Sequence, residues 1–225
     1  MNTISFVGHR KGINLMKLEL VDHLPDSLRT QAIAQTVAKG QRLFRKGDRA
    51  SYLYLIKAGR FQEVGYPEAN KIAVLQILSP GDILGETGLA AEIYRSTAIA
   101  LTDAEVVAYP ISALLDSLTH SPLVVEAMLE ILSQKIQELQ VRLEWRSISL
   151  ADHRVLEYLR HKLEQLTPNT EESPQTLTLN IPLQEVAAEL GFVPGTLSRA
   201  LAKLEANRTI LRQQNRITLL DNDAA

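Results

Sequence analysis

Two clusters of residues carry the polar chemistry of this sequence. The first is Leu84–Gly85–Glu86–Thr87–Gly88–Leu89, followed closely by Tyr94–Arg95–Ser96–Thr97. A glycine at 85 lets backbone N–H groups come close to an anion. Arg95 offers a planar cationic fork that matches phosphate oxygens, and Ser96 adds a hydroxyl donor. Glu86 can accept hydrogen bonds from a ribose hydroxyl. Gly85, Glu86, Arg95, Ser96 and Thr97 together fit a small cradle for a sugar phosphate. The same residues also suit a plain structural role, with Glu86 and Arg95 paired across a β turn.

In the second cluster, Thr196, Arg199 and Lys203 are spaced 3 and 4, so a helix sets them on one face, with Ser198 beside them. The fork of Arg199 matches the two acceptors on the major-groove edge of guanine. Thr196 and Ser198 suit phosphates or base edges, and Lys203 suits a phosphate. Arg212 and Arg216 are spaced to clamp a nucleic-acid backbone. Pro194 presets the first turn of that helix, whereas Gly195 has no side chain to read with.

Both clusters need scaffolds. Residues 36–110 are rich in glycine and short apolar runs. Tyr52–Ile56 and Ile72–Leu78 have strand length and are bounded by turn signals at Gly47–Asp48, Ala58–Gly59 and Pro80–Gly81–Asp82. Regular short strands of this kind predict a closed or sandwiched antiparallel fold. A short helix is expected before it, from about Pro25 to Ala34.

From Ser121 to about Ser147 there is no glycine, and Pro122 is tolerated in a first turn, so one long helix is predicted. Met128, Leu132, Ile136, Leu139 and Leu143 are spaced 4, 4, 3 and 4, and Val125 extends the stripe. Such a stripe serves a helix packed on its own domain or a parallel two-helix dimer seam.

Beyond it, Ala151–Leu166 has helical periodicity, and Thr167–Gln175 is a polar loop with two prolines. Leu177, Leu179 and Ile181 alternate as in a strand. Pro182–Leu190 and Pro194–Glu205, joined at Gly191, make a helix-turn-helix pattern. Ile210–Leu211 and Ile217–Leu220 flank a polar tip, Arg212–Arg216, as the strands of a wing.

Composition narrows the function classes. Hydrophobic residues make up 45% and charged residues 22% of the 225, which is ordinary globular usage. The absence of cysteine excludes disulfides, thiolate-held clusters and thiol nucleophiles. No apolar run reaches membrane-spanning length, and Met1–Lys17 lacks the apolar core of a signal peptide, so a cytoplasmic protein without membrane contact is expected. None of the histidines (His9, His23, His120, His153, His161) falls within 36–110, which argues against a metal-dependent jelly-roll enzyme. No Walker, H-E-x-x-H or G-x-S-x-G motif is present, so neither a catalytic residue nor a metal site is expected. The net charge of −2 alone argues against nucleic acid, but Thr196–Arg216 holds five basic residues against Glu205, a local net of +4.

In these motifs and their order the chain resembles the cyclic-AMP receptor protein/FNR family of bacterial transcription regulators. The resemblance runs from about Ala38 to Leu220. It takes in Leu43–Phe44–Arg45–Lys46–Gly47–Asp48, Leu53–Tyr54–Leu55–Ile56 with Gly59, Ser79–Pro80–Gly81–Asp82, the segment Leu84–Ala100, the long helix, and the helix-turn-helix with its wing. It implies an α+β chain. Residues 1–120 would form an antiparallel β-roll of jelly-roll, cyclic-nucleotide-binding type. Residues 121–149 would be the dimerisation helix and hinge, and 150–225 a winged helix-turn-helix. It also implies a homodimer on a two-fold symmetric promoter site, contact with RNA polymerase, and gating by a small-molecule effector such as cyclic AMP.

Within the resemblance, Gly85, Glu86, Arg95 and Ser96 match the cyclic-nucleotide pattern, whereas Thr97 stands where alanine is usual. Leu139 and Gln140 occupy the purine-contacting positions, where small hydroxyl residues are usual. Gly195 stands where many members carry glutamate, and Pro194 where some carry arginine. Base readout is therefore expected to rest on Ser198 and Arg199. The competing expectation is an effector sensor that does not bind specific DNA.

Overall fold

The computed structural model describes residues 24–68, 71–166, 176–179 and 181–220. Its strands are β1 (Ile33–Val37), β2 (Arg42–Phe44), β3 (Tyr52–Ala58), β4 (Phe61–Glu68), β5 (Lys71–Leu78), β6 (Ile83–Leu84), β7 (Thr97–Ala100), β8 (Ala104–Pro110), β9 (Thr176–Thr178), β10 (Ile210–Gln213) and β11 (Arg216–Leu219). Its helices are α1 (Asp26–Arg29), α2 (Ile111–His120), α3 (Pro122–Ser147), α4 (Ala151–Leu166), α5 (Leu183–Glu189) and α6 (Pro194–Ala206). The chain falls into two compact units. One comprises Met1–Phe61, Leu78–Arg95 and Ala100–Ile131, the other Gln62–Ile77, Ser96–Ile99 and Leu132–Ala225.

The first unit is built on an antiparallel sheet of order β1-β8-β3-β6. β8 sits between β1 and β3, in register Val37↔Ala104 on one side and Tyr54↔Ala108 on the other. Leu53, Tyr54, Leu55 and Ile56 are all buried, as a strand covered on both faces requires. The helix expected over Pro25–Ala34 is confined to Asp26–Arg29, and Ile33 and Ala34 belong to β1. The cross-strand partners Ala108 and Val107 claim those two residues for the sheet, overriding a local helical pattern. Gly85 takes φ +83°, and a Cβ there would stand 3.0 Å from the Tyr52 carbonyl oxygen and from the Tyr94 ring. The Tyr94 hydroxyl holds that strand end, donating to Tyr52 O at 2.7 Å and accepting from Tyr52 N at 3.1 Å.

The second unit contains the sheet strands β7, β4 and β5, the C-terminal part of α3, and everything after it. Its apolar core gathers Trp145 from α3, Tyr158 and Leu159 from α4, Val186 and Leu190 from α5 and its cap, and Leu197, Leu201 and Leu204 from α6. Trp145 meets Tyr158 edge-on at 5.3 Å. Gly191 (φ +72°) makes the left-handed turn that α5 needs before α6 can start. A small antiparallel sheet, β10-β11-β9, closes the unit. The strand expected through Leu177, Leu179 and Ile181 is ladder-paired only over Thr176–Thr178, while Leu179 N donates to Asn215 O at 2.8 Å. The loop expected at Thr167–Gln175 lies outside the described residues.

Arg154 ties the α3–α4 junction together. Its guanidinium donates to the carbonyls of Ile148 (3.0 Å), Arg146 (3.1 Å) and Leu190 (3.2 Å), and stacks on Phe192 at 4.7 Å. These carbonyls lie at and just beyond the C-terminal ends of α3 and α5, which leave carbonyls without helical partners. At the start of α4, buried Asp152 receives Lys203 Nζ of α6 at 2.6 Å. That hydrogen bond holds the Asp152 carboxyl below its ordinary value of 3.8, against the opposing effect of burial.

Two tests follow from this packing. Leu201→Ala is expected to cost the second unit about 2–5 kcal/mol in urea unfolding, because Leu201 is fully buried between helices. The Lys203–Asp152 pair is worth roughly 0.5–1 kcal/mol, since the lysine is half in solvent. An aspartate with a depressed folded pKa stabilises fully above its ordinary value and loses that contribution as pH falls through the depressed one. The stability difference between the parent chain and Lys203→Ala is therefore expected in full at pH 7, to shrink on acidification below the ordinary value, and to vanish only once the pH has fallen through the depressed one.

Candidate functional site

α6 presents its polar residues on the side away from the core. Leu197, Ala200, Leu201 and Leu204 are buried, while Ser198 and Arg199 are exposed and Thr196 is half-buried. The Arg199 guanidinium lies back along the helix, with Nε on the Gly195 carbonyl at 3.2 Å and Nη2 on the Thr196 hydroxyl at 3.4 Å. The fold thus brings Thr196 and Arg199 together at the helix's leading end. A Cβ built on Gly195 meets nothing within 4 Å.

The remaining candidates on this unit differ from one another. Lys203 is held by Asp152, so a phosphate would have to compete with a carboxylate for it. Arg212 is not at a wing tip. It lies within β10, opposite Ile217, and faces Glu205 of α6 at 3.9 Å. Arg216 opens β11 and is exposed. The tip is only Gln214–Asn215, with Gln214 at φ +55°, because the two strands stay paired as far as Gln213↔Arg216. A tight two-residue connection of this kind needs positive φ.

The residues of the sugar-phosphate cradle are distributed as follows. In the first unit, Gly85 precedes a 3-10 turn at Glu86–Leu89, Glu86 is half-buried, and Arg95 is exposed. In the second unit, Ser96 and Thr97 are buried at the start of β7. The Ser96 hydroxyl is already engaged, donating to Glu63 Oε1.

That bond begins a buried polar chain which the sequence reading missed. Glu63 Oε2 accepts from Gln76 Nε2. Gln76 Oε1 accepts from Arg142 Nη1 of α3 at 3.1 Å. Arg142 Nη2 faces Glu189 Oε1 of α5 at 3.9 Å. Glu189 also takes the Tyr158 hydroxyl at 3.2 Å and Lys162 Nζ at 3.5 Å, both from α4. Burial and the neighbouring Glu189 carboxylate raise the Tyr158 phenol well above its usual value, so it stays a donor. A parallel tie joins α3 to β5, from Arg146 Nη2 to Val74 O at 2.9 Å. One signal was available in the sequence: Glu63 shares strand parity with Phe61, and Gln76 with Leu78, which places both polar side chains on buried faces.

The long helix carries two faces. Val124, Met128, Ile131, Lys135 and Trp145 are buried within the chain. Leu129 (60% exposed), Ile136 (57%), Leu139 (42%) and Leu143 (67%) face outward, with Val125 and Leu132 half-buried at the same spacing. Met128, expected on the stripe, is 3% exposed and belongs to the buried face; Leu129 takes its place. The corrected run 125, 129, 132, 136, 139, 143 has the alternating 4 and 3 steps of a heptad seam. Among the described residues no group of three or more His, Asp or Glu side chains could hold a metal ion, and no helix is long and apolar enough to cross a membrane.

Comparison with known proteins agrees with this geometry at both ends. The cyclic nucleotide-binding domain family matches residues 34–121, and the Crp-like helix-turn-helix domain family matches residues 153–224. Among characterised relatives, the transcriptional activator protein FnrA of Stutzerimonas stutzeri is 22% identical over 92% of this chain and 83% of its own. The fumarate and nitrate reduction regulatory protein of Escherichia coli K12 is 24% identical over 84% of this chain and 75% of its own. Among solved structures, a CooA mutant from Carboxydothermus hydrogenoformans superposes with a TM-score of 0.73 at 21% identity, covering 91% of each chain. FixK2 from Bradyrhizobium japonicum gives 0.67 at 17% identity, covering 84% of this chain and 93% of that one. With both domain families matched in order along one chain, this protein belongs to the cyclic-AMP receptor protein/FNR family.

Proposed function

We propose that this protein is a homodimeric, sequence-specific DNA-binding regulator of transcription whose β-roll senses a small-molecule effector. The observation that carries the reading is the leading end of α6, where Thr196, Ser198 and Arg199 lie clear of the core beside a local excess of positive charge. Arg199 leaves its self-made contacts for a guanine edge in the major groove, and Ser198 and Thr196 fix register on the backbone. Arg216 adds a phosphate contact from the wing. Lys203 and Arg212 contribute only by exchanging Asp152 and Glu205 for phosphate.

The outward stripe of α3 supplies the seam for a second copy, which presents the reading face twice and so selects a two-fold symmetric promoter site. RNA polymerase is the partner that such a promoter-bound dimer would contact. The effector acts at the segment Gly85–Thr97, with cyclic AMP as one ligand to test. The buried chain from Ser96 through Arg142 to Glu189 gives a physical route from that segment to the helix-turn-helix, and an effector works by favouring one of two arrangements of that chain. No catalytic role is assigned to any residue.

Two experiments test this reading. The parent chain is expected to enrich a palindromic site from random duplex DNA, with and without added cyclic AMP. Arg199→Ala is expected to lose about 1–3 kcal/mol of discrimination at one base position of each half-site. A parent chain that enriches no site at any salt concentration leaves only the sensor role. For the seam, Ile136→Asp with Leu143→Asp is expected to give a monomer by sedimentation with unchanged helical circular dichroism, because both side chains are exposed in the single chain.

A further inference from the structure

We infer that Glu63 is the specificity-determining residue of the roll: its carboxylate holds the Ser96 hydroxyl and keeps phosphate-bearing ligands, cyclic nucleotides included, from that serine. The inference rests on the proposed sensing role of the segment Gly85–Thr97 and names what that segment accepts.

The argument starts from donor arithmetic. A serine hydroxyl has one hydrogen to donate. In this chain Ser96 donates it to Glu63 Oε1. Both residues are buried, Ser96 at 4% and Glu63 at 7% exposure. A phosphate group seated on Ser96 would need that same hydrogen. It would also stand beside a buried carboxylate, where two like charges repel with little water to screen them.

Glu63 cannot simply turn aside. Its second oxygen is held by the Gln76 amide, and the Gln76 carbonyl is held by Arg142. Arg142 in turn faces Glu189. Moving Glu63 to admit an anion therefore strips partners from a buried row, and each stranded polar group carries its own desolvation cost. A neutral or cationic ligand with a hydrogen-bond donor meets no such barrier, because Glu63 can accept from it.

Glutamine at this position keeps the shape, removes the charge and supplies an N–H donor for a phosphate oxygen. The test is calorimetric titration of the whole chain with cyclic AMP and with cyclic GMP, without DNA, for the parent and for Glu63→Gln. The expected result is at least about tenfold tighter binding of one nucleotide by Glu63→Gln than by the parent, as removal of a like-charge contact implies. Adding Arg95→Ala is expected to abolish the gain, which would set the phosphate at the Arg95–Ser96 step.

Equal affinity in the parent and Glu63→Gln, absence of binding by both, or a gain that survives Arg95→Ala overturns the inference. Should Glu63→Gln lose its native circular dichroism, Glu63→Ala takes its place in the same titrations under the same criteria. Site selection on DNA scores the regulator reading, and nucleotide titration scores this one, so the two can fail separately.

Discussion

A buried carboxylate at the end of α5 draws contacts from other helices of the second unit to one point. Glu189 is 6% exposed, and an ion so placed is tolerated only where partners surround it. They come from two other helices: Arg142 from α3, and Tyr158 and Lys162 from α4. The interdigitated apolar side chains around it supply the burial, and the hydrogen bond and ion pairs on one carboxylate add direction. These contacts hold the end of α5 just ahead of the turn at Gly191, after which α6 starts. The leucines of α6 fill the space that this arrangement leaves.

The same arginine faces the other way as well. Arg142 reaches Gln76 on β5, and Arg146 one turn later reaches the Val74 carbonyl. α3 is therefore pinned to sheet residues by its cations and to the helical core by Trp145. Its remaining side is left to Leu129, Ile136, Leu139 and Leu143. A single helix carries these separate stripes because its 3.6-residue period distributes them around its axis, and Arg142 reaches both the sheet and the helical core.

The C-terminal half was legible almost element by element. α5 and α6 begin at prolines and are separated by a glycine turn, and the apolar residues of α4, α5 and α6 recur at helical spacing, so local pattern and tertiary demand agree there. The roll was less so. Ile33 and Ala34 read locally as helix but belong to a sheet whose partner strand lies some seventy residues away in the chain. Met128 and Leu129 are adjacent, and a 4-step and a 3-step both continue a helical stripe, so the periodicity alone did not tell the inward from the outward residue. The polar chain was hidden for a different reason. Its links join residues 13, 33 and 66 positions apart, and nothing in a linear pattern announces which buried polar groups will meet. Of the candidate site, the exposed polar side of α6 was visible and the engaged states of Ser96, Lys203 and Arg212 were not.

The empty space around Gly195 has a consequence for what α6 can present. A Cβ added there meets nothing within 4 Å, and it projects from the first turn of the helix whose leading end carries Thr196 and Arg199. If the leading end of α6 reads DNA as proposed, a small side chain at this position would change what that end presents at no cost in steric clash. Under that reading packing and preference separate at one residue, while the leucines on the opposite side of the same helix stay bound by the core.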